Sequence, residues 1–299
     1  MGARIESVAT AHSRGGFFGH GGLGLSDIAA RECLERAKRE ASELDVLVNA
    51  GLYKERSLAE PALASIIQED IGANPGHPPR HDRHGTFSFD VMNGASGVLT
   101  AAHLLDGFVG AGTAKLGLIV AADADPSPHT SRGFPFAPVG GAVLLAHTSD
   151  DDEGFRAFDF RAFPEFADLF VVRIGFDGER NVIDVHEDAT FARRALECAT
   201  SAASAFLDRQ KIAASDVDLL VASQAPPTFA DDLARALGIA TDCVPRVTPD
   251  LAMAHTAGPL VALDAAIQSG QLARARRVLF VTASAGITVG SALYEKPRA

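Results

Sequence analysis

Residues 86–112 read TFSFDVMNGASGVLTAAHLLDGFVGAG, and this stretch decides how the chain folds. Residues 86–91 alternate and are rich in strand formers, so they predict a β-strand, whereas the apolar residues after Gly97 recur at helical spacing. The small residues 93–97 (NGASG) between them predict a tight elbow. Ser96 would then lie at the N-terminus of a buried helix, where free backbone N–H groups and the helix dipole stabilise negative charge.

Two interpretations of Ser96 follow from this placement. The hydroxyl is either a nucleophile whose developing charge the helix start stabilises, or a helix cap beside glycines that only allow close packing. A strand, a turn and a helix with one serine favour the cap when they occur alone.

The element occurs twice in the chain. Residues 97–101 (GVLTA) resemble 258–262 (GPLVA), and at the same spacing the strand 118–123 (LIVAAD) resembles 279–284 (LFVTAS). A duplication at about half the chain length predicts two similar halves packed face to face, not a solenoid of short repeats.

A domain boundary is expected at the acidic turn 150–154. The first domain, residues 1–153, carries the elbow, and the second, residues 154–299, carries a second central helix. Strands alternate with helices in both halves, which predicts mixed, mainly parallel sheets covered by helices. Stacking two such halves gives an α/β architecture of five layers, α-β-α-β-α.

The pattern also predicts the individual elements outside the elbow. Strands are expected at 4–11, 45–51, 116–123, 139–146, 155–163, 217–223, 243–247, 277–284 and 287–295, and helices at 26–42, 58–72, 188–208 and 229–237. The aromatic segment 166–176 is expected to line an apolar channel or to cover the core.

The repeat pairs individual residues across the two halves. Gly94 aligns with His255, and Ser96 aligns with Ala257. One buried helix would start with a serine and the other with a histidine, across a pseudo-two-fold axis. We therefore expect a hydroxyl and an imidazole to meet at the bottom of one shared pocket.

Composition excludes several functions. The 299 residues are long enough for two cores, and the net charge of −11 argues against nucleic acid and anionic membrane surfaces as partners. The first residues do not form a signal peptide and no apolar run is long enough to span a membrane, so a cytoplasmic location is expected. Cys33, Cys198 and Cys243 are scattered, which favours neither a disulfide framework nor a zinc site.

Two loops suggest ligands but favour simpler interpretations. The histidine-rich loop 76–85 (GHPPRHDRHG) is proline-interrupted and is interpreted as a polar loop, so that no metal is expected. The glycine-rich loop 12–24 lacks the ending of a phosphate-binding loop and is interpreted as a flexible entry loop, and no cofactor is expected. Arg80, Arg83 and Arg132 are weak candidates for phosphate contacts and are interpreted as solvated surface charges.

The duplicated halves, the elbow after an FDV strand, the glycine pair 140–141 and a terminal strand opening with GSAL resemble the thiolase superfamily. Within it the chain resembles the ketoacyl-acyl-carrier-protein synthase III branch over nearly its whole length, most specifically at 89–97 and 290–293. The resemblance implies acyl groups on coenzyme A or acyl carrier protein as ligands, and a role in fatty acid or polyketide biosynthesis. It also implies a homodimer, or a heterodimer with a synthase paralogue, formed through residues 86–90.

The chain departs from that branch at the catalytic positions. Its members are similar in using a cysteine at the elbow as acyl acceptor, a histidine after the second-half strand and an asparagine at the second central helix. Here the elbow holds Ser96, or Ala95 if the register moves by one. Ser223 stands where the branch has histidine, and His255 stands where it has asparagine.

The predicted catalytic residues are therefore Ser96, His255 and Ser223. The predicted substrate-binding residues are Asn93, Gly94, Ala95, Gln224, Thr256 and Gly286.

In the first hypothesis, the chain is an acyltransferase or condensing enzyme in which His255 takes the Ser96 proton while helix amides hold the oxyanion. Ser223 argues against condensation, because the branch uses a histidine and asparagine pair to stabilise the carbanion. In the second hypothesis, the chain is a catalytically silent subunit that pairs with an active ketosynthase paralogue. A third interpretation treats Ser96 as an introduced replacement for a cysteine.

Overall fold

The elbow forms between a strand and a helix, as its sequence predicts. Phe87–Asp90 is a β-strand, Gly94–Ser96 is a 3₁₀ turn and Gly97–Gly110 is an α-helix. The computed structural model describes residues 2–13, 21–53, 58, 60–74, 85–127, 130–178 and 180–297. Most of the histidine-rich loop 76–85, with Arg80 and Arg83, and part of the glycine-rich loop 12–24 lie outside the described residues.

The two halves contain similar successions of strands and helices. The first half contains strands β1 (Gly2–His12), β2 (Val46–Asn49), β3 (Phe87–Asp90), β4 (Leu116–Asp123) and β5 (Val139–Thr148), and helices α1 (Gly22–Ala37), α2 (Leu63–Ile71) and α3 (Gly97–Gly110). The second half contains strands β6 (Gly154–Ala162), β7 (Phe170–Asp177), β8 (Arg180–Glu187), β9 (Leu219–Ala222), β10 (Arg277–Ser284) and β11 (Thr288–Glu295), and helices α4 (Phe191–Gln210), α5 (Phe229–Leu237), α6 (Gly258–Gln268) and α7 (Gln271–Arg274).

Each half is built on one main sheet, and the four strands of the second sheet follow the same order as four of the five strands of the first. The first sheet has the order β1-β5-β4-β2-β3, and the second has the order β6-β11-β10-β9. The strands that repeat in the sequence, β4 and β10, occupy corresponding central positions. The division into domains at residues 153 and 154 coincides with the start of β6 and stays a prediction.

The sheets contain more antiparallel pairs than predicted. β4 pairs antiparallel with β5 and β10 with β11, and the outer strands β1 and β6 are also antiparallel to their neighbours. Parallel pairing joins β2 to β3 and β4, and β9 to β10. The prediction of mainly parallel sheets was wrong, because β11 follows β10 after a short turn and a parallel return needs a crossover of about a dozen residues.

Five layers, α-β-α-β-α, stack on apolar clusters, which confirms the predicted α/β architecture. α3 and α6 lie between the two sheets. α1 and α2 cover the outer face of the first sheet, and α4 and α5 cover the outer face of the second. Both central helices are apolar on most sides because sheets pack against them from two directions. Even so, no helix within the described ranges combines the length and the apolar character that crossing a bilayer requires.

The glycine pair in β5 lets helices approach the sheet on both faces. A β-carbon on Gly140 would lie 2.5 Å from the carbonyl oxygen of Leu25 in α1, and one on Gly141 would lie 2.8 Å from the β-carbon of Leu260 in α6. Real β-carbons do not tolerate such distances, so only glycine fits at either position. The pair therefore fixes the spacing between the layers that position the central helices.

The aspartate of the FDV strand has a structural role. The Asp90 carboxylate accepts hydrogen bonds from the backbone N–H groups of Leu63 and Ala64, both at 2.9 Å, and from the side-chain amide of Asn49 at 3.2 Å. These N–H groups belong to the first turn of α2, where the helix itself offers no acceptor. Through these hydrogen bonds, Asp90 links the N-terminus of α2 to the strand that leads into the elbow.

Three predictions of individual elements differ from the structure, one of them the helix expected at 58–72, which begins five residues later, at Leu63–Ile71. The strand expected at 243–247 does not form, since Thr241–Cys243 is a 3₁₀ turn and the residues after it lie outside any described ladder. The helix expected at 26–42 begins four residues earlier and ends earlier, at Gly22–Ala37. Short apolar runs such as 243–247 carry little information on pairing, because the neighbour that would complete a ladder comes from elsewhere in the chain.

The aromatic segment 166–176 runs from a 3₁₀ turn into β7, which pairs antiparallel with β8 in a separate two-stranded sheet. Phe170 at the start of β7 is buried, whereas Phe176 near its end is 79% exposed. Only the first part of this segment therefore covers the core.

Candidate active site

The N-terminus of α6 is held by a carboxylate from the first half. Asp123 ends β4, is fully buried and accepts hydrogen bonds from the backbone N–H groups of His255, Thr256 and Ala257 at 2.9, 3.0 and 3.1 Å. The Thr256 hydroxyl donates a further bond to it at 2.8 Å. Since helix starts lack internal acceptors and favour negative charge, Asp123 fixes the backbone that carries His255.

The His255 imidazole is buried against aromatic rings. It stacks on Phe136, with ring centroids 4.1 Å apart and planes 9° from parallel, and its centroid lies 6.0 Å from that of Tyr53. Burial lowers the pKa of His255 below its ordinary value of 6.5, while the nearby Asp123 carboxylate acts in the opposite direction. The imidazole is therefore neutral near pH 7, the form that can accept a proton.

The elbow glycine Gly94 lies where the two halves meet. Its φ of +49° falls in the left-handed region. A β-carbon built on it would lie 3.0 Å from the β-carbon of Ser284, 3.5 Å from the Ser284 hydroxyl and 3.7 Å from Nε2 of His255. Glycine is required here both by the backbone conformation and by the closeness of Ser284.

The Ser96 hydroxyl points towards the second sheet. Ser96 is fully buried, and its Oγ accepts a hydrogen bond from the Thr282 hydroxyl at 3.0 Å and donates a long one, 3.4 Å, to the carbonyl oxygen of Thr288. It makes no side-chain cap to the helix that follows. Among the described residues, no hydrogen bond joins Ser96 to His255, so its predicted role as nucleophile stays a prediction.

Ser223 joins the ends of two strands. Its Oγ accepts a hydrogen bond from the backbone N–H of Ala283 at 3.0 Å and lies 3.5 Å from the carbonyl oxygen of the same residue. The side chain is buried. It therefore links the residue after β9 to β10 and uses its donor and acceptor on the backbone.

The predicted substrate-binding residues mostly bond within the protein. The Asn93 amide donates to the Thr100 hydroxyl at 3.0 Å, and the Gln224 amide donates to the carbonyl oxygen of Ala222 at 2.8 Å. The Thr256 hydroxyl is bound to Asp123, Ala95 is buried, and Gly286 lies in the turn between β10 and β11 with a φ of +119°. Contacts of these residues with a substrate stay a prediction.

A small cavity lies beside His255. Its volume is about 70 Å³, and its lining includes Phe136, Phe170, Phe191, Met253, His255 and Ser284. Glu187, an exposed residue, also borders it. The lining is mostly apolar, so this space suits a short acyl group. Ser96 and Ser223 do not line it.

The elbow contains two backbone donors without a partner among the described residues. The N–H groups of Ser96 and Gly97 bond to the carbonyl oxygens of Asn93 and Gly94. Those of Gly94 and Ala95 have no hydrogen-bond acceptor among the residues that the structure describes. Such paired N–H groups are the usual means of stabilising an oxyanion.

None of the cysteines is an activated nucleophile. Burial raises the pKa of Cys33 to about 12 and also raises the pKa of Cys198 and Cys243. The reactive form of cysteine is the thiolate, which a raised pKa suppresses. The cysteines therefore do not replace the elbow cysteine of the resembled branch.

Metal and phosphate sites receive no support from the described residues. Within them, no three His, Cys, Asp or Glu side chains are grouped so as to hold a metal ion. Arg132 is exposed, and its backbone bridges to β8.

Sequence reasoning missed three residues that organise the site. Asp123 holds the backbone of His255, Phe136 holds its ring, and Ser284 lines the same cavity. A signal existed for two of them, because the repeat aligns the strand ends Asp123 and Ser284. No pattern marked Phe136, which lies in an irregular segment.

Known sequences are similar to this chain over most of its length. Residues 207–296 match the family model described as 3-oxoacyl-[acyl-carrier-protein] synthase III C terminal. The beta-ketoacyl-[acyl-carrier-protein] synthase III of Acidiphilium cryptum is 27% identical over 96% of this chain and 85% of its own length. The protein of the same name from Thiobacillus denitrificans is 27% identical over 90% of this chain and 82% of its own length.

Solved structures share the fold. The 3-oxoacyl-(acyl carrier protein) synthase III of Pseudomonas aeruginosa, FabH, matches with a TM-score of 0.83 and 20% identity over 100% of this chain and 99% of its own. Xanthomonas campestris OleA, solved with bound lauric acid and lauroyl-CoA, matches with a TM-score of 0.81 and 14% identity over 99% of both chains.

The duplicated five-layer fold, with two opposed helix starts at one site, defines a thiolase-like protein. With the sequence matches, it makes the chain similar to ketoacyl-acyl-carrier-protein synthase III proteins of the thiolase superfamily.

Proposed function

We propose that this protein is a synthase III-type acyl-transferring enzyme that takes an acyl group from a thioester of coenzyme A or acyl carrier protein. The observation that carries the proposal is the neutral imidazole of His255, which lines a small, mostly apolar cavity beside the elbow glycine Gly94. An imidazole in this form is a general base for a hydroxyl, an amine or a water molecule.

The surroundings of His255 suit this role. Asp123 holds its backbone and Phe136 holds its ring, so the base is positioned before a substrate binds. The elbow N–H groups of Gly94 and Ala95 would donate hydrogen bonds to the thioester carbonyl oxygen and stabilise the negative charge that develops on it. Acyl transfer needs these elements, a base and an oxyanion site, whatever the acceptor.

The relatives support the class of donor. Those matched in sequence are named for acyl carrier protein, and OleA was solved with an acyl-CoA. Decarboxylative condensation is not proposed, because Ser223 stands where the branch has histidine and its hydroxyl is bonded to the backbone of Ala283. Transfer to an oxygen or nitrogen acceptor, or hydrolysis, is the proposed reaction.

A second candidate is a silent subunit that pairs with an active synthase paralogue. Two observations favour it. The hydroxyls of Ser96 and Ser223 bond within the protein, and the edge of the first sheet exposes Phe87 and Met92 by 57% and 66%. A homodimer or a heterodimer formed through this edge would cover both side chains.

The test is acyl transfer from a panel of short and long acyl-CoA and acyl-carrier-protein thioesters to water, alcohols and amines, followed by liquid chromatography and mass spectrometry. We expect the wild type to transfer a short acyl group and His255→Ala to be slower by about 100-fold or more. His147→Ala, at an exposed histidine of β5, is the matched control and should retain the activity.

The outcome separates the two candidates. Transfer that is lost in His255→Ala but retained in the control supports the enzyme. If no thioester reacts and the chain purifies from its source cell in a stable complex with a synthase paralogue, the enzyme proposal fails and the silent subunit replaces it.

A further inference from the structure

We propose that Ser284, at the end of β10, is the side chain that accepts the acyl group, in place of the predicted Ser96. This inference rests on the proposed acyl transfer and names the nucleophile of that same site.

Ser284 and His255 share one cavity. Both line the space of about 70 Å³ described above, whereas Ser96 does not. The Ser284 hydroxyl and Nε2 of His255 lie 3.5 and 3.7 Å from the same point, the position that a β-carbon on Gly94 would occupy. A hydroxyl and a general base therefore flank the elbow glycine, close enough to act on one substrate atom or to interact after a side-chain rotation.

The Ser284 hydroxyl is also the most weakly bound of the three candidate serine hydroxyls. Its one bond among the described residues runs to the carbonyl oxygen of Thr288 at 3.5 Å, the outer limit for a hydrogen bond. Ser96 and Ser223 instead accept bonds of 3.0 Å from Thr282 and Ala283. Rotating Ser284 towards His255 therefore gives up less than freeing either of the others.

The repeat supplies an independent argument. Ser284 is the counterpart of Asp123, because both end the strands that align in the two halves. The Asp123 carboxylate accepts hydrogen bonds from the N–H groups of His255, Thr256 and Ala257, which lead into α6. At the elbow, the equivalent N–H groups of Gly94 and Ala95 have no acceptor among the described residues, and the equivalent strand end carries the hydroxyl of Ser284. In the proposed step these N–H groups bind a transient oxyanion.

The step balances as an ordinary acyl transfer. Ser284 Oγ attacks the thioester carbonyl carbon, and its proton passes to Nε2 of His255. The carbonyl oxygen becomes an oxyanion near the elbow N–H groups, the carbon–sulfur bond breaks, and the imidazolium returns the proton to the departing thiolate. An acceptor hydroxyl, amine or water then reverses these steps and releases the acyl group from Ser284.

The experiment is a single-turnover reaction of the full chain with acetyl-CoA and with a longer acyl-CoA, followed by intact-mass analysis and tryptic mapping. Cleavage after Arg277 and Arg298, since trypsin does not cut before Pro297, places Ser284 on a peptide separate from Ser96. The variants are Ser284→Ala, Ser284→Cys and Ser96→Ala, with Ser201→Ala on the exposed face of α4 as the matched control.

We expect one acyl group on Ser284, a loss of about 100-fold or more in adduct formation in Ser284→Ala, and a stable adduct in Ser284→Cys. In Ser96→Ala the adduct should still map to Ser284. An adduct on Ser96, or product formation at an unchanged rate in Ser284→Ala, would overturn the assignment of Ser284 while leaving the proposed acyl transfer in place. Absence of both adduct and product in every form would overturn both.

Discussion

The two helix starts at the site are copies of one element, yet only one of them binds a carboxylate of the protein. In the second half, the N–H groups of the three residues before α6, His255, Thr256 and Ala257, bind the buried carboxylate of Asp123. In the first half, the equivalent N–H groups of Gly94 and Ala95 have no acceptor among the described residues, and Ser284 occupies the position equivalent to Asp123. The start of α6 therefore contributes to stability, and we propose that the N–H groups of the elbow bind the substrate.

The difference shows how a duplicated fold can specialise through the residue at one strand end. A carboxylate at that position satisfies a buried helix start permanently. A hydroxyl at the same position stabilises less and leaves donors for a substrate, which is a common trade between stability and function.

The largest difference between the two helix starts is expected when Asp123 is substituted. Asp123→Ala would leave three buried N–H groups without an acceptor, and we expect it to lower the free energy of unfolding by about 3 kcal/mol or more, since each such donor costs roughly 1–3 kcal/mol. Ser284→Ala, at the equivalent strand end, should cost less than about 1 kcal/mol. Urea unfolding followed by circular dichroism measures both, and similar losses in the two variants would contradict the proposed division of roles.

A second variant tests the contact between the halves. Gly94→Ala adds a β-carbon 3.0 Å from that of Ser284 at a φ of +49°, so we expect a loss of about 1–2 kcal/mol and of most acyl transfer. Gly112→Ala is the matched control, because its φ is +73° and nothing lies within 4 Å of the added carbon. Thermal unfolding should shift in both variants, whereas activity should fall only in the first. Equal activities would show that the elbow is remote from the reaction.

The smallest expected effect concerns pH. Burial favours neutral His255 in the folded protein, so its contribution to stability is complete above its ordinary pKa of 6.5 and is lost as the pH falls through its lower folded pKa. His255→Asn should flatten this part of the pH dependence of the unfolding free energy. A larger acid sensitivity in the variant than in the wild type would show that the imidazole is charged when folded.

Much of the scaffold was predictable, because it depends on patterns within single segments. The elbow, the strand Leu116–Asp123 and the helix Phe229–Leu237 form as expected, and the repeat correctly implied two similar halves. Strand direction was not predictable, since apolar runs do not encode which neighbour they pair with or in which sense.

The contacts of the site were harder to predict than its backbone. The repeat aligned Gly94 with His255, and the structure places them side by side. The partner of Ser96, however, depends on how Thr282 of one half meets the elbow of the other, which no local pattern contains. Asp123 and Ser284 could have been found by comparing the two strand ends in the repeat.

The central claim is that the elbow of the first half, unlike the start of α6, receives the carbonyl oxygen of an acyl thioester. The most direct measurement is a crystal structure of the protein with a ketone analogue of a short acyl-CoA, in which a methylene replaces the thioester sulfur. The account predicts the ketone oxygen within hydrogen-bond distance of the N–H groups of Gly94 and Ala95, about 2.7–3.1 Å, with the acyl group in the His255 cavity. An analogue bound away from the elbow, or a cavity that excludes it at saturating concentration, would contradict the account.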